Sequence, residues 1–443
     1  MTMSGTMRNH SAQGAHETDE QIMARRARLL GPAYRLFYER PVHLVRGKGI
    51  WLYDAQGRQY LDMYNNVACV GHAHPHVVKA LHEQALTLNT HTRYLHSGIL
   101  DYAEKLLGYF PPELSQVMFA CTGSEANDLA LRIAHLHSGG KGLIITETAY
   151  HGTTVTLAQA SPSLGAAVTL GDFVRTVPPP DTYRGDPDQA RARFAADVRS
   201  AIASLEAANI KPAALLIDGI FSSDGVFAHP IGVINDAVDE IRRAGGLYIA
   251  DEVQPGFGRT GDGMWGFSRH GVVPDLVTLG KPMGNGHPVA GVVARPELLT
   301  EFGARSRYFN TFGGNPVSAA VGNAVLEVIE DETLIANARS RGLELRAGLE
   351  ELAKRCELIG DIRGAGLFIG LELVKDRKTR EPASAETAKL VNVLREKQIL
   401  IGAAGPRGNC LKIRPPLCFS KENGEMFLAR FEEALSEVAA TSA

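Results

Sequence analysis

Between Gly246 and Lys281 the chain carries two short apolar runs, each ending on a reactive side chain. Leu247-Tyr248-Ile249-Ala250 runs into the acid pair Asp251-Glu252, and Leu276-Val277-Thr278-Leu279-Gly280 delivers Lys281, followed at once by Pro282. Both runs are too short for helices and read as buried strands of a parallel sheet. In open α/β sheets ligands gather outside the carboxyl ends of the strands. A carboxylate and an amine, thirty residues apart in the chain, then fall at one sheet edge. Taken alone, the same two residues also suit a loop cap and a surface lysine, so the rest of the chain must decide.

Strand and helix signals alternate across the middle section. Residues 117–120, 142–146, 213–218 and 289–294 read as further strands, which argues for a mostly parallel sheet covered on both faces. After 117–120 comes Cys121-Thr122-Gly123-Ser124-Glu125-Ala126-Asn127, ahead of a helix predicted over 129–136. A small polar turn before a helix is the build of a phosphate cradle, and equally of a plain N-cap. Tyr150 follows the strand 142–146, where an aromatic ring either stacks on a planar ligand or packs into the core. Pyridoxal 5′-phosphate (PLP) needs an acid for its pyridine nitrogen, a lysine for its aldehyde and a cradle for its phosphate. No Gly-x-Gly-x-x-Gly opens the first βα unit, which disfavours a nicotinamide-binding fold.

At 443 residues the chain exceeds one compact core. The reading is a flexible tail over 1–20, an N-terminal segment over 21–80 contributing to a small domain, a large PLP-binding domain over 81–320 and a C-terminal α+β domain over 321–443. A formal net charge of -3 with no basic stripe argues against a nucleic-acid partner. The N-terminus lacks the apolar core of a signal peptide, and no run of eighteen apolar residues occurs, so no membrane partner is expected. Five scattered cysteines suggest reduced thiols and a cytoplasmic location. His72, His74 and His76 alternate across Pro75 without a matching acid or cysteine cluster, so no metal is expected.

Five motifs in order now resemble the class III aminotransferase family of fold-type I PLP enzymes, from about residue 35 to the end. They are Thr122 to Asn127, Tyr150-His151-Gly152, Asp251 to Gln254 with Gly256 to Gly261, Lys281, and Thr311 to Pro316. The resemblance implies a large domain with a mostly parallel seven-stranded sheet plus a smaller α+β domain. It implies that Lys281 bonds the cofactor and then transfers the proton, and that Asp251 pairs with the pyridine nitrogen. Val253 and Tyr150 would take the two ring faces, Gly123 and Ser124 the phosphate, and Gln254 a place near the cofactor 3′-oxygen. Thr311 would reach the phosphate of a neighbouring subunit's cofactor, so a homodimer with shared active sites is implied.

Within the family, Asn65 to Ala68, Asn89 to His96, Pro180 to Gly185, Gly284 to Pro288 and Pro415 to Ser420 resemble the phospho-lyase branch. Its members eliminate phosphate from ethanolamine phosphate or 5-phosphohydroxylysine. Many transaminases of the family carry an arginine shortly before the late Pro-Pro-Leu. Here Lys412 stands there, with Arg414 two residues on, and lysine is a poor bidentate carboxylate clamp. Asp218 stands where transaminases usually have glutamate. The implied function is elimination of phosphate from a small phosphorylated amine, with Arg93, Lys412 and Arg414 as candidates for its anionic end. The rival readings are an ω-amino transaminase, a lyase on an aminophosphonate, and a PLP-binding regulator without catalysis.

Overall fold

Short buried strands with helical connections build the centre of the molecule. The computed structural model describes residues 17–165 and 167–440. Seven strands form one sheet in the order Gln116–Ala120, Ala290–Ala294, Leu276–Leu279, Leu247–Asp251, Pro212–Ile217, Gly142–Thr146, Val174–Val177. Only Ala290–Ala294 runs against the rest. Ten residues separate it from Leu276–Leu279, which is short for the crossover that a parallel pairing requires. The six parallel strands all present their carboxyl ends at one edge. The expected mostly parallel sheet is the observed one.

The sheet is covered on both faces, and two apolar clusters fill the space between sheet and helices. The N-terminal strands Leu44–Lys48, Trp51–Asp54 and Gln59–Asp62 form a second sheet that also takes in Ile399–Leu400, parallel to Gln59–Asp62. The C-terminal strands Ile359–Ala365, Phe368–Asp376, Glu381–Pro382, Gly402–Ala404 and Cys410–Ile413 form a third. The early and late parts of the chain are thus joined by backbone hydrogen bonds.

Several boundaries differ from the sequence reading. Of the tail expected over 1–20, residues 1–16 lie outside the described ones. Thr18 caps a helix over Asp19–Leu30 with a capping box to Gln21, so the helix begins inside the tail expected over 1–20. The helix expected from Leu129 begins at Gly123 and runs to Ser138. Thr122 is its N-cap, accepting from the Glu125 N–H at 3.1 Å, while the Glu125 carboxylate accepts from the Thr122 N–H at 2.9 Å. The three neighbouring histidines go to three different carboxylates: His72 to Asp62, His74 to Glu332 and His76 to Glu327.

Candidate active site

The parallel strands bring the reactive residues together. Asp251 ends one strand and stands in register beside Thr278 of the next, and Lys281 follows that strand by two residues. Asp218 follows Pro212–Ile217, Tyr150 to Gly152 follow Gly142–Thr146, and Gly123 and Ser124 open the helix after Gln116–Ala120. A cavity of about 190 Å³ at this edge is lined by all of these except Thr278, together with Asn127, Val253 and Gln254.

Asp251 is buried at the cavity floor. His151 meets its Oδ2 through Nδ1 at 2.7 Å, Asn127 donates to the same oxygen at 3.1 Å, and the Val253 N–H donates to Oδ1 at 3.1 Å. Thr278 in turn donates to Asn127 Oδ1 at 2.7 Å, fixing the amide. Burial would raise the Asp251 carboxyl, but His151, the Val253 N–H and Lys281 outweigh it and hold it below the ordinary carboxylate value. The other acid of the pair, Glu252, is engaged elsewhere. It accepts from the Gly266 and Phe267 N–H groups at 2.7 Å each, and burial pushes it up to about 8.

Lys281 lies 5.8 Å from the Tyr150 ring centroid. Burial lowers its ammonium below the ordinary value and Arg414 adds to the fall, while Asp251 opposes it. A lysine so shifted has more of the neutral form that attacks a carbonyl or accepts a proton.

Backbone closeness shapes the opposite end. A side chain at Gly123 would meet the Val253 methyls at 3.1 Å, and one at Gly152 would meet Ser124 Oγ at 2.6 Å. Gly152 also has φ +146°, a conformation suited to glycine. Gly123 and Ser124, the first residues of that helix, line the cavity, which puts the positive helix pole at this end. An acid with a fixed charge, a depressed lysine and a helix-start cradle sit around one cavity, and they fit PLP. Gly152→Ala is expected to weaken cofactor affinity at least about tenfold through steric displacement of Ser124. A PLP titration followed by absorbance checks this.

The remaining candidates divide. Gln254 lines the cavity, and its Oε1 accepts a hydrogen bond from Arg414. Arg414 is buried, with its guanidinium 4.4 Å from the Tyr64 ring centroid. Lys412 is buried beside it, and both feel the charge of Asp218. Burial pushes the Lys412 ammonium down to about 7, Arg414 and Lys281 adding to the fall and Asp218 opposing it. Burial likewise pushes the Asp218 carboxyl up to about 6.

Arg93 does not reach this cavity. It is exposed, and its guanidinium lies 3.9 Å from the Phe309 ring centroid. Thr311 is exposed on the same surface. Asn127 and His151 belong to the quoted motifs but were given no role from sequence. Asn127 stands three residues beyond Ser124, one helical turn along the same face, and that spacing was the available signal.

The class III aminotransferase profile matches residues 37–435. An alanine–glyoxylate aminotransferase 2-like protein of Drosophila melanogaster is 41% identical over 92% of this chain and 85% of its own. Ethanolamine-phosphate phospho-lyase homolog 1 of Caenorhabditis elegans is 39% identical over 91% of each. A phospholyase from Arthrobacter, solved with phosphoethanolamine, is 46% identical with a TM-score of 0.91, covering 94% of this chain and 99% of its own. The chain belongs to the class III aminotransferase family, whose enzymes depend on pyridoxal 5′-phosphate.

Proposed function

We propose that the protein is a phospho-lyase that eliminates phosphate from a small phosphorylated amine, with ethanolamine phosphate as the leading substrate. The observation that carries this reading is the buried cationic pair Lys412 and Arg414, which both feel the carboxylate of Asp218, Arg414 feeling Asp62 as well. Two buried cations that oppose each other's charge suit a multiply charged oxyanion better than they suit each other. The likeness to the Arthrobacter phospholyase supports the same reading.

When bound, PLP supplies an electron sink that acidifies the carbon bearing the substrate amine. With the cofactor bound, Lys281 would take the proton from that carbon, and Asp251 would hold the pyridine nitrogen protonated. Asn127, His151 and Thr278 hold Asp251 in place. Lys412 and Arg414 stabilise phosphate as it departs from the neighbouring carbon, where negative charge gathers. The enamine product hydrolyses to an aldehyde and ammonia, so no oxo acid is consumed.

The reading includes a homodimer. Leu95 is fully exposed and Phe312 is 69% exposed, flanking Arg93 and Thr311 on one surface. His91 meets Phe309 at 5.7 Å between ring centroids, tying the two segments together. A second copy covering this apolar surface would bring Thr311 and Arg93 towards its own cavity.

PLP-loaded enzyme incubated with ethanolamine phosphate, without oxo acid, should release phosphate and acetaldehyde over many turnovers. Conversion of the cofactor to its amine form without phosphate release would favour the transaminase reading, which the Drosophila relative's name supports. The Lys412 assignment has its own signature. Its ammonium is charged below about pH 7 and neutral above, so kcat/KM should fall on the basic side of that value. Lys412→Arg should remove that basic limb, and Lys412→Met should lower kcat/KM by about 10- to 100-fold at pH 6. Identical pH profiles for wild type and Lys412→Arg would contradict the assignment.

A further inference from the structure

A second cavity, of about 240 Å³, lies apart from the cofactor cradle and shares no lining residue with it. Its charged lining is unbalanced: Arg269, Arg339 and Arg346 against the single carboxylate of Asp262. The helix Leu334–Ala353 supplies two of the arginines. Arg339 and Arg346 are seven residues apart, two turns, and so share a face with Gly342 between them. Gly342 lets that face press on the turn at Gly366, since a side chain there would collide with the Gly366 carbonyl. Arg269 comes from the turn Phe267–His270 and His229 from the segment after Pro212–Ile217.

The buried polar groups here are incompletely partnered. The Arg269 side chain is only 4% exposed; it pairs with Asp262 and donates to the Ala228 carbonyl at 3.3 Å, and its Nε has no partner. Thr260 is buried, lines the cavity, and its Oγ1 has no partner either. Arg346 pairs with Glu350 at 2.8 Å, while the exposed side chain of Arg339 has neither a hydrogen bond nor an ion pair among the described residues. Buried polar groups without partners are costly and mark places where a ligand completes the bonding. Burial first, then Arg269 and Arg346, hold the His229 imidazole below its ordinary value, with the Gly364 backbone opposing.

We propose that this cavity is a second anion site, built for phosphate, free or as the monoester of a small molecule. Planar guanidinium forks from separate elements match a phosphate's oxygens, and the Thr260 hydroxyl adds a neutral donor. The site joins the helix Leu334–Ala353 and the turn at Gly366 to the segment carrying Arg269. That segment also holds Glu252 through the Gly266 and Phe267 N–H groups, and Glu252 adjoins Asp251. An anion bound here therefore fastens the segment that braces the catalytic strand end.

The test is isothermal titration of PLP-loaded enzyme with inorganic phosphate at constant ionic strength. One phosphate per chain should bind in a mode weakened at least about tenfold by Arg339→Glu and tightened by Asp262→Asn. Lys412→Met, which acts on the substrate cavity, should leave this mode unchanged, so the two readings can fail separately. Arg339→Ser, a smaller change at an exposed position, should also weaken it while cofactor absorbance stays normal. Binding that ignores the Arg339 and Asp262 substitutions, disappears with Lys412→Met, or is absent from the wild type would overturn the proposal.

Discussion

Lys281→Ala is expected to lower turnover by on the order of 10⁴-fold or more, because one side chain is asked to perform two steps. On the proposed reading it would bond the cofactor aldehyde in the resting enzyme and, once displaced, move the proton at the substrate carbon. Burial and the nearby Arg414 hold its ammonium below the ordinary value, and the carboxylate of Asp251 opposes the fall. Lys281→Arg should fail almost as completely, since a guanidinium stays protonated and neither attacks nor accepts a proton. The loss should be in chemistry and not in cofactor retention, because Gly123, Ser124, Tyr150, Val253 and Asp251 remain around the same cavity. Phosphate release by purified variant, with bound PLP counted by absorbance after denaturation, checks both parts. Retention of more than about one hundredth of wild-type turnover would remove Lys281 from its assigned place, given the size expected of a lost acid–base group.

The sheet edge was legible because its signals are local. Leu247 to Asp251 and Leu276 to Leu279 are wholly buried, so each reads as an unbroken apolar run with a chemical group at its end. Val174–Val177 was not foreseen. It is an edge strand of four residues in which Arg175 and Thr176 interrupt the apolar pattern, and its pairing with Gly142–Thr146 supplies what its sequence lacks. The start of the helix Gly123–Ser138 was read too late because its first turn is small and polar. Helix entry there rests on the Thr122–Glu125 capping box, a signal in the side-chain spacing and not in hydrophobic period.

The site divides along the same line. Asp251 and Lys281 follow directly from strand ends, and Gly123 with Ser124 from a strand–turn–helix order. The supports of Asp251 do not. His151 is 100 residues away in the chain and Asn127 is 124 away, and only the sheet order brings them to one carboxylate. Arg93 is placed differently. Its motif context placed it among substrate candidates, but within one chain it lies over Phe309 on an exposed surface.

Asp251→Asn is expected to lower kcat by about 10²- to 10³-fold while leaving the protein folded. Asparagine keeps the shape, and the Val253 N–H still finds an acceptor, so the backbone turn after the strand survives. What disappears is a fixed negative charge on the cavity floor. That charge persists through neutral pH because His151, the Val253 N–H and Lys281 together overcome the burial that would neutralise it. The folded-state value lies below the unfolded one, so ionised Asp251 stabilises the fold above the ordinary carboxylate range. That contribution is lost as pH falls through the folded value. His151→Ala then gives the sharper test of how the charge is held. Without the imidazole, burial is opposed by less, and the Asp251 value should rise. The acid limb of kcat should move to higher pH, with kcat at neutral pH reduced less than by Asp251→Asn. A His151→Ala enzyme with an unmoved acid limb would mean that His151 only packs against Asp251, and that the Val253 N–H and Lys281 suffice to keep the carboxylate charged.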